Sequence, residues 1–207
     1  MPALVSITLG IGASTILFSL IKGVLLAPLP YPEVERLVLL RARNTRSGET
    51  RPFVSLLDFR DWQRQASSFD GMALYRWSQL DLPGEDSTER IQGLRVTPEF
   101  FRVMGLSAAL GRVPRGTTPE EDTGVIVLGR NLWDRRFGAD PNLVGETIAV
   151  NSWRWLPRLG SVPHQVLAVI DEPSRFLPMT SGLDERFVGV DDVVDFWLPL
   201  ERNEEAL

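Results

Sequence analysis

The sequence predicts an α+β fold carried behind a single N-terminal transmembrane helix, and three observations lead there. Residues 3–27, ALVSITLGIGASTILFSLIKGVLLA, form an apolar run broken by one charge, Lys22. Beyond Pro28, short apolar segments of strand length alternate with segments of helical periodicity, and no long repeat relates them. Turn and cap residues punctuate these segments where strands end and helices begin.

The apolar run is long enough to cross a bilayer. As a helix it would measure roughly 37 Å, against about 30 Å of hydrocarbon. Lys22 stands near its end, where the aliphatic stem lets the charge reach the headgroups. A cleaved signal peptide fits poorly, because no basic segment precedes the run and PLPYPE follows it in place of a small-residue cleavage site. Ser6, Gly10 and Ser14 recur four residues apart, a spacing that lets another helix approach, although small residues are common in any membrane helix. Gly10-Ile11-Gly12 is no dinucleotide fingerprint, since Thr15 holds the third glycine position and no strand precedes it. Pro28, Pro30 and Pro32 then stop the helix. The expected division is a membrane helix within residues 1–27 and an extracytoplasmic domain over 28–207.

Within that domain RLVLLRAR (Arg36–Arg43) predicts a strand. Ser55–Gln65 predicts a helix, with Ser55 and Asp58 in capping-box spacing and Phe59, Trp62 and Ala66 on one face. Met72–Trp77 and Arg90–Val96 predict strands joined through the turn Pro83–Asp86. Thr97–Met104 predicts a short helix, with Thr97 as N-cap, Pro98 in its first turn and Gly105 as its stop. Val125–Leu128 reads as a buried strand and Arg130–Phe137 as a helix closed by Gly138. Thr147–Val150 and Gln165–Ile170 read as strands. The aromatics Phe59, Trp62, Phe69, Phe100, Phe101, Trp133 and Phe137 sit at helix-face spacings and are expected in the core.

Composition excludes several classes of function. There is no cysteine, so no thiol nucleophile, thiolate metal site or disulfide. One histidine, His164, cannot form a histidine cluster. It follows Pro163 in what reads as a loop, and no serine stands in a nucleophile-elbow pattern. Lys22 is the only lysine and no glycine-rich phosphate loop precedes it, so the chain is no P-loop ATPase. Beyond the apolar run, 21 arginines face 27 acidic residues, a net charge of −6 that argues against nucleic acid as a partner. Asp184, Glu185, Asp191, Asp192 and Asp195 lack the spacing of a calcium loop and are expected to be a solvated acidic surface. The reading is therefore of a non-enzymatic chain with no catalytic, cofactor-binding or metal-ligating residue.

Several long segments resemble one family in collinear order. LGIGASTILFSLIKGVLLAPLPYPEVERLVLL (Leu9–Leu40) looks like the first membrane helix and first strand of the macrolide-exporter-type permeases, the MacB-like/FtsX-like ABC transporter permease family. SLLDFRDWQRQASSFDGMALY (Ser55–Tyr75), ERIQGLRVTPEFFRVMGLSAALGR (Glu89–Arg112), VIVLGRNLWDRRFGADPNLVGETIAVN (Val125–Asn151) and DFWLPL (Asp195–Leu200) resemble its later segments. The resemblance implies a MacB-type periplasmic core domain, built as a porter-like subdomain with an inserted second subdomain. It implies a permease component in the inner membrane whose outer domain transmits ATP-driven movement. Its partners would be an ABC ATPase subunit, the remaining permease helices on a separate chain, a second copy of itself and membrane lipid.

Departures from the family pattern bear on these expectations. The basic flank before the first helix, the three later membrane helices and the stretch after DFWLPL are not in the sequence. The domain is therefore expected to be incomplete at its C-terminus, leaving an open sheet edge near the strand at Arg36–Arg43. Asn151–Ile170 stands where relatives have a tight hairpin, and Ser152 replaces its turn glycine. Two further readings stay open: a free-standing single-pass protein whose outer domain binds a protein or ligand, and a decayed gene fragment. Arg36, Arg41, Arg43, Arg46 and Arg51 follow the apolar run closely, which by charge counting alone would hold the domain in the cytoplasm. The family topology, and the tendency of large domains to translocate regardless of charge, point the other way.

Overall fold

The computed structural model describes residues 33–45, 48, 50–51, 54–84, 87–114, 124–152, 161–171 and 194–200. The chain divides into two units, Met1–Pro30 and Tyr31–Leu207, and every described residue belongs to the second. The transmembrane helix expected within residues 3–27, and the three prolines after it, lie outside the described residues. Among the described residues no helix is long and apolar enough to cross a membrane.

A 3-10 turn at Val34–Arg36 leads to a small antiparallel ribbon of β1 (Ala42–Arg43) and β2 (Thr50–Arg51). Then come α1 (Leu56–Gln65), β3 (Tyr75–Pro83), β4 (Thr88–Val96), α2 (Glu99–Val103) and β5 (Ala108–Gly111). β6 (Val125–Gly129), α3 (Arg130–Phe137), a 3-10 turn at Pro141–Leu143, β7 (Thr147–Ser152), β8 (Val162–Ile170) and β9 (Phe196–Pro199) complete the order.

Local chemistry sets the helix ends. Ser55 Oγ accepts the Asp58 N–H at 3.0 Å and so starts α1. α2 ends in a Schellman pair: with Gly105 at φ 66°, Leu106 N–H reaches Phe101 O at 2.8 Å and Gly105 N–H reaches Arg102 O at 3.2 Å. Gly138, at φ 60°, closes α3. Thr97 departs from its expected role. Its hydroxyl accepts the Leu74 N–H at 3.0 Å while its own N–H donates to Leu74 O at 2.9 Å, so it pins the approach to β3 instead of capping α2. Its carbonyl still receives the Phe100 N–H at 2.9 Å.

The main sheet has the order β5-β8-β6-β9-β4-β3-β7, and β7 also pairs with β8. β8, β6, β9, β4, β3 and β7 therefore close into a ring, with β5 attached to β8 outside it. One edge of β8 is shared end to end: β7 pairs along Val162–Gln165 and β5 along Ala168–Ile170. Leu167 is the extra residue at the changeover, skipped in the β6 register between Val166 and Ala168. This bulge reverses the alternation, so Val166 and Ala168 enter opposite apolar clusters. Gly111 makes it possible: φ is +74°, and a Cβ there would meet Leu167 O at 2.2 Å.

All six ring strands contribute to one apolar cluster, which includes Leu80, Ile91, Ile126, Val150, Val166 and Phe196 and takes in Leu132 of α3. A second cluster lies on the opposite face, where α2 lays Phe100 and Phe101 over Leu94, Val127 and Trp197. β6 is buried along its whole length because its two faces feed different clusters, which is why Val125–Leu128 reads as an unbroken apolar run. Burial of each such side chain contributes about 1.5–3 kcal/mol before ordering costs.

Several expectations need correction. Arg36–Arg43 is not a strand of the main sheet; only Ala42–Arg43 pairs, and with β2. The ring closes without it. The strand expected at Met72–Trp77 begins at Tyr75 and runs to Pro83, because Leu74 is engaged by Thr97. Phe69 is 39% exposed and Trp62 half-buried, whereas Phe59, Phe100, Phe101 and Trp133 are buried and Phe137 packs against the ring cluster. His164 stands in β8 opposite Ile148, not in a loop.

Candidate functional site

β9 is the structural centre of the domain. It is four residues long, runs parallel to β4 and antiparallel to β6, and buries Phe196, Trp197 and Leu198 to 3% exposure or less. Both neighbours are cut back to admit it. A Cβ on Gly93 of β4 would meet Phe196 O at 2.2 Å, and a Cβ on Gly129 of β6 would meet Val194 O at 2.6 Å. This strand therefore sits in a slot lined on both sides by glycine.

Asp195 fixes the entrance of that slot. Its N–H donates to Gln92 O at 2.7 Å and its carbonyl accepts the Gly129 N–H at 2.8 Å, which ties it to β4 and β6. Its side chain accepts the Gln92 N–H at Oδ2 (3.1 Å) and Arg135 Nη1 of α3 at Oδ1 (3.0 Å). Arg135 also donates through Nε to Glu89 Oε1 at 2.9 Å. Burial would lower the Arg135 pKa, but the hydrogen bonds and charges of Asp195 and Glu89 outweigh it and raise it. The residue Asp195 is 6% exposed, so the solvated acidic surface expected for it is wrong: it is a buried carboxylate with donors on both oxygens. Asp184, Glu185, Asp191 and Asp192 lie outside the described residues.

Such an arrangement holds elements together. Elsewhere, the His164 ring nitrogen Nδ1 lies 3.1 Å from Val162 O. On the far side of α3, Trp133 Nε1 donates to Asp140 O at 2.9 Å and the Arg130 guanidinium lies 5.0 Å over its ring. Among the described residues, no three His, Cys, Asp or Glu side chains converge as they would to hold a metal ion. The sequence carried a signal for the β9 site in the motif DFWLPL, yet the pairing of Asp195 with Arg135 spans 60 residues and no local pattern announces it.

The comparisons agree with this architecture. The family described as the MacB-like periplasmic core domain matches residues 3–206. The fold is similar to the periplasmic region of MacB from Actinobacillus actinomycetemcomitans, at 15% identity over 77% of this chain and 62% of that one, with a TM-score of 0.51. It is also similar to the extracellular domain of the noncanonic ABC-type transporter YknZ from Gram-positive bacteria, at 9% identity over 77% of this chain and 70% of that one, with a TM-score of 0.52. At these identities the likeness speaks to the fold alone, and the chain spans somewhat under two thirds of the first structure's length. No curated protein matches the sequence. With a family match across almost its whole length and a fold that agrees, the chain belongs to the MacB-like periplasmic core domain family.

Proposed function

We propose that this chain is a non-enzymatic component of an ABC transporter permease. It is held in the inner membrane by a single helix within residues 3–27, with its domain on the extracytoplasmic side. There it passes on, as a body, the movement driven by a separate ATPase subunit, together with the remaining permease helices and a second copy of itself. The observation that supports this reading is the β9 clasp: a short strand paired with both β4 and β6 and tied through Asp195 to α3, which holds the ring together as a unit.

Topology and coupling are tested separately. The chain has no cysteine, so Ser87→Cys, at an exposed site before β4, provides a single reporter. An impermeant maleimide is expected to label it on intact spheroplasts; protection there with labelling after lysis would place the domain in the cytoplasm and overturn the reading. Co-expression with the ABC ATPase encoded nearest the gene is expected to give a complex whose ATP hydrolysis changes when the chain is omitted. Recovery of the chain without any ATPase, and no change in hydrolysis, would favour the free-standing binding module.

A further inference from the structure

The four exposed large apolar side chains among the described residues all fall in one stretch: Val38 (62%), Leu40 (42%), Leu57 (58%) and Phe69 (39%). None lies on the seven-stranded sheet. The segment after the first 3-10 turn alternates. Leu37 packs against the outer cluster and Leu39 is half-buried, while Val38 and Leu40 point outward. A solvated face would carry polar residues at those two positions; here it carries a branched and a long aliphatic side chain.

Charge is distributed the same way. Residues 36–51 hold five arginines and one acid, Glu49, a local charge of +4, in a chain whose net charge is −5, so the other residues carry −9. Arg41 and Arg43 are exposed and directly follow Leu40. Arg36 is ion-paired with Glu33 and with Asp70, which brings the neighbour of exposed Phe69 to the start of the same segment. Ten residues lie between Ala27, the end of the apolar run, and Val38, which makes eleven Cα-to-Cα steps. Fully extended, that link spans at most about 36–40 Å.

We propose that residues 37–43 are a lipid-contacting foot of the domain, with Val38 and Leu40 entering the headgroup region and Arg41 and Arg43 meeting anionic lipid phosphates. The inference rests on the anchoring of residues 3–27 proposed above. The contact fixes the height and tilt of the ring over the bilayer, so that movement of the membrane part reaches the domain through its base as well as through the linker.

The full chain, reconstituted into vesicles of phosphatidylcholine and phosphatidylglycerol, tests it. An environment-sensitive dye is attached at Val38→Cys, and in a separate sample at Asn142→Cys, an exposed site on the second 3-10 turn. Lipids carrying a headgroup spin label are expected to quench the dye at position 38 several-fold more than at 142. Arg41→Glu with Arg43→Glu is expected to remove most of that difference, as is replacement of phosphatidylglycerol by phosphatidylcholine. Equal quenching at both positions, in protein that carbonate washing leaves with the vesicles, overturns the foot while leaving the anchor intact. A blue-shifted but unquenched dye at 38 also overturns it, since a second copy or another protein then covers the segment. Release of the chain by carbonate overturns the anchor and the inference with it.

Discussion

Arg135 of α3 reaches across to Asp195 at 3.0 Å, and that contact fastens the last described strand to a helix formed 60 residues earlier. The pair is asymmetric: the Arg135 side chain is 42% exposed and that of Asp195 only 9%. Removing the arginine therefore leaves a buried carboxylate short of a donor, while the arginine itself loses little by returning to water. Arg135→Ala is expected to cost about 1–3 kcal/mol. Asp195→Asn, which still accepts from the Gln92 N–H, should cost less. Urea unfolding followed by tryptophan fluorescence measures both; an Arg135→Ala midpoint equal to wild type would show that the clasp contributes nothing.

The glycine slot makes a contrasting pair of variants. Gly93→Ala drives a Cβ into Phe196 O, where only 2.2 Å is available, and is expected to cost at least about 3 kcal/mol or to prevent folding. Gly124→Ala has open space around it but keeps φ at +68°, so it should cost only the left-handed strain of about 1–2 kcal/mol. Comparable losses at the two sites would mean that backbone strain, not the closeness of β9, decides.

Trp197 carries a buried cost of its own. Among the described residues its Nε1 finds no hydrogen-bond partner, although the ring packs edge-on near Phe101 at 6.4 Å between centroids. Trp197→Phe removes the unsatisfied N–H together with some packing, and the two effects should cancel to within about 1 kcal/mol. Trp197→Ala leaves a cavity and should cost about 3–5 kcal/mol. A Phe variant as unstable as the Ala variant would reveal that the indole N–H is satisfied after all.

Tyr75 gives the domain an alkaline limit. Burial pushes the phenol pKa up, and the positive charge of Arg41 offsets only part of that rise. In the unfolded chain the phenol ionises near its ordinary value of 10.0, while in the folded chain it holds its proton to higher pH. Its contribution is thus fully present below that value and is lost as pH climbs from there towards the folded pKa. Relative to Tyr75→Phe, wild-type protein is expected to lose stability as the pH rises above 10.0. Parallel pH profiles for the two proteins would contradict the burial effect.

What could be read from the sequence divides by range. Ser55, Gly105 and Gly138 announced their helix ends correctly because capping is settled within one turn. Val125–Leu128 was legible as buried because an apolar run without alternation needs cover on both faces. Arg36–Arg43 misled, since β propensity reports how a segment would fit a sheet and says nothing of whether a sheet edge is free. The closure through β7 was invisible because it depends on the distant pairing of Leu80 with Ser152. Asp195 was hidden for the same reason: in a run of acids, only its distant partner distinguishes it.

β9 is the last described strand in sequence and a middle one in space. A chain made from its N-terminus therefore holds β4 and β6 apart, with two facing rows of backbone groups unpaired, until Pro199 has emerged. All the other described strands are made before the ring can close, and non-local pairing of this kind forms slowly. Delay of that sort keeps a nascent chain threadable, because an unclosed ring can still be drawn through a translocation pore in extended form. Once DFWLPL has passed and Asp195 finds Arg135, closure on the far side would make the passage hard to reverse.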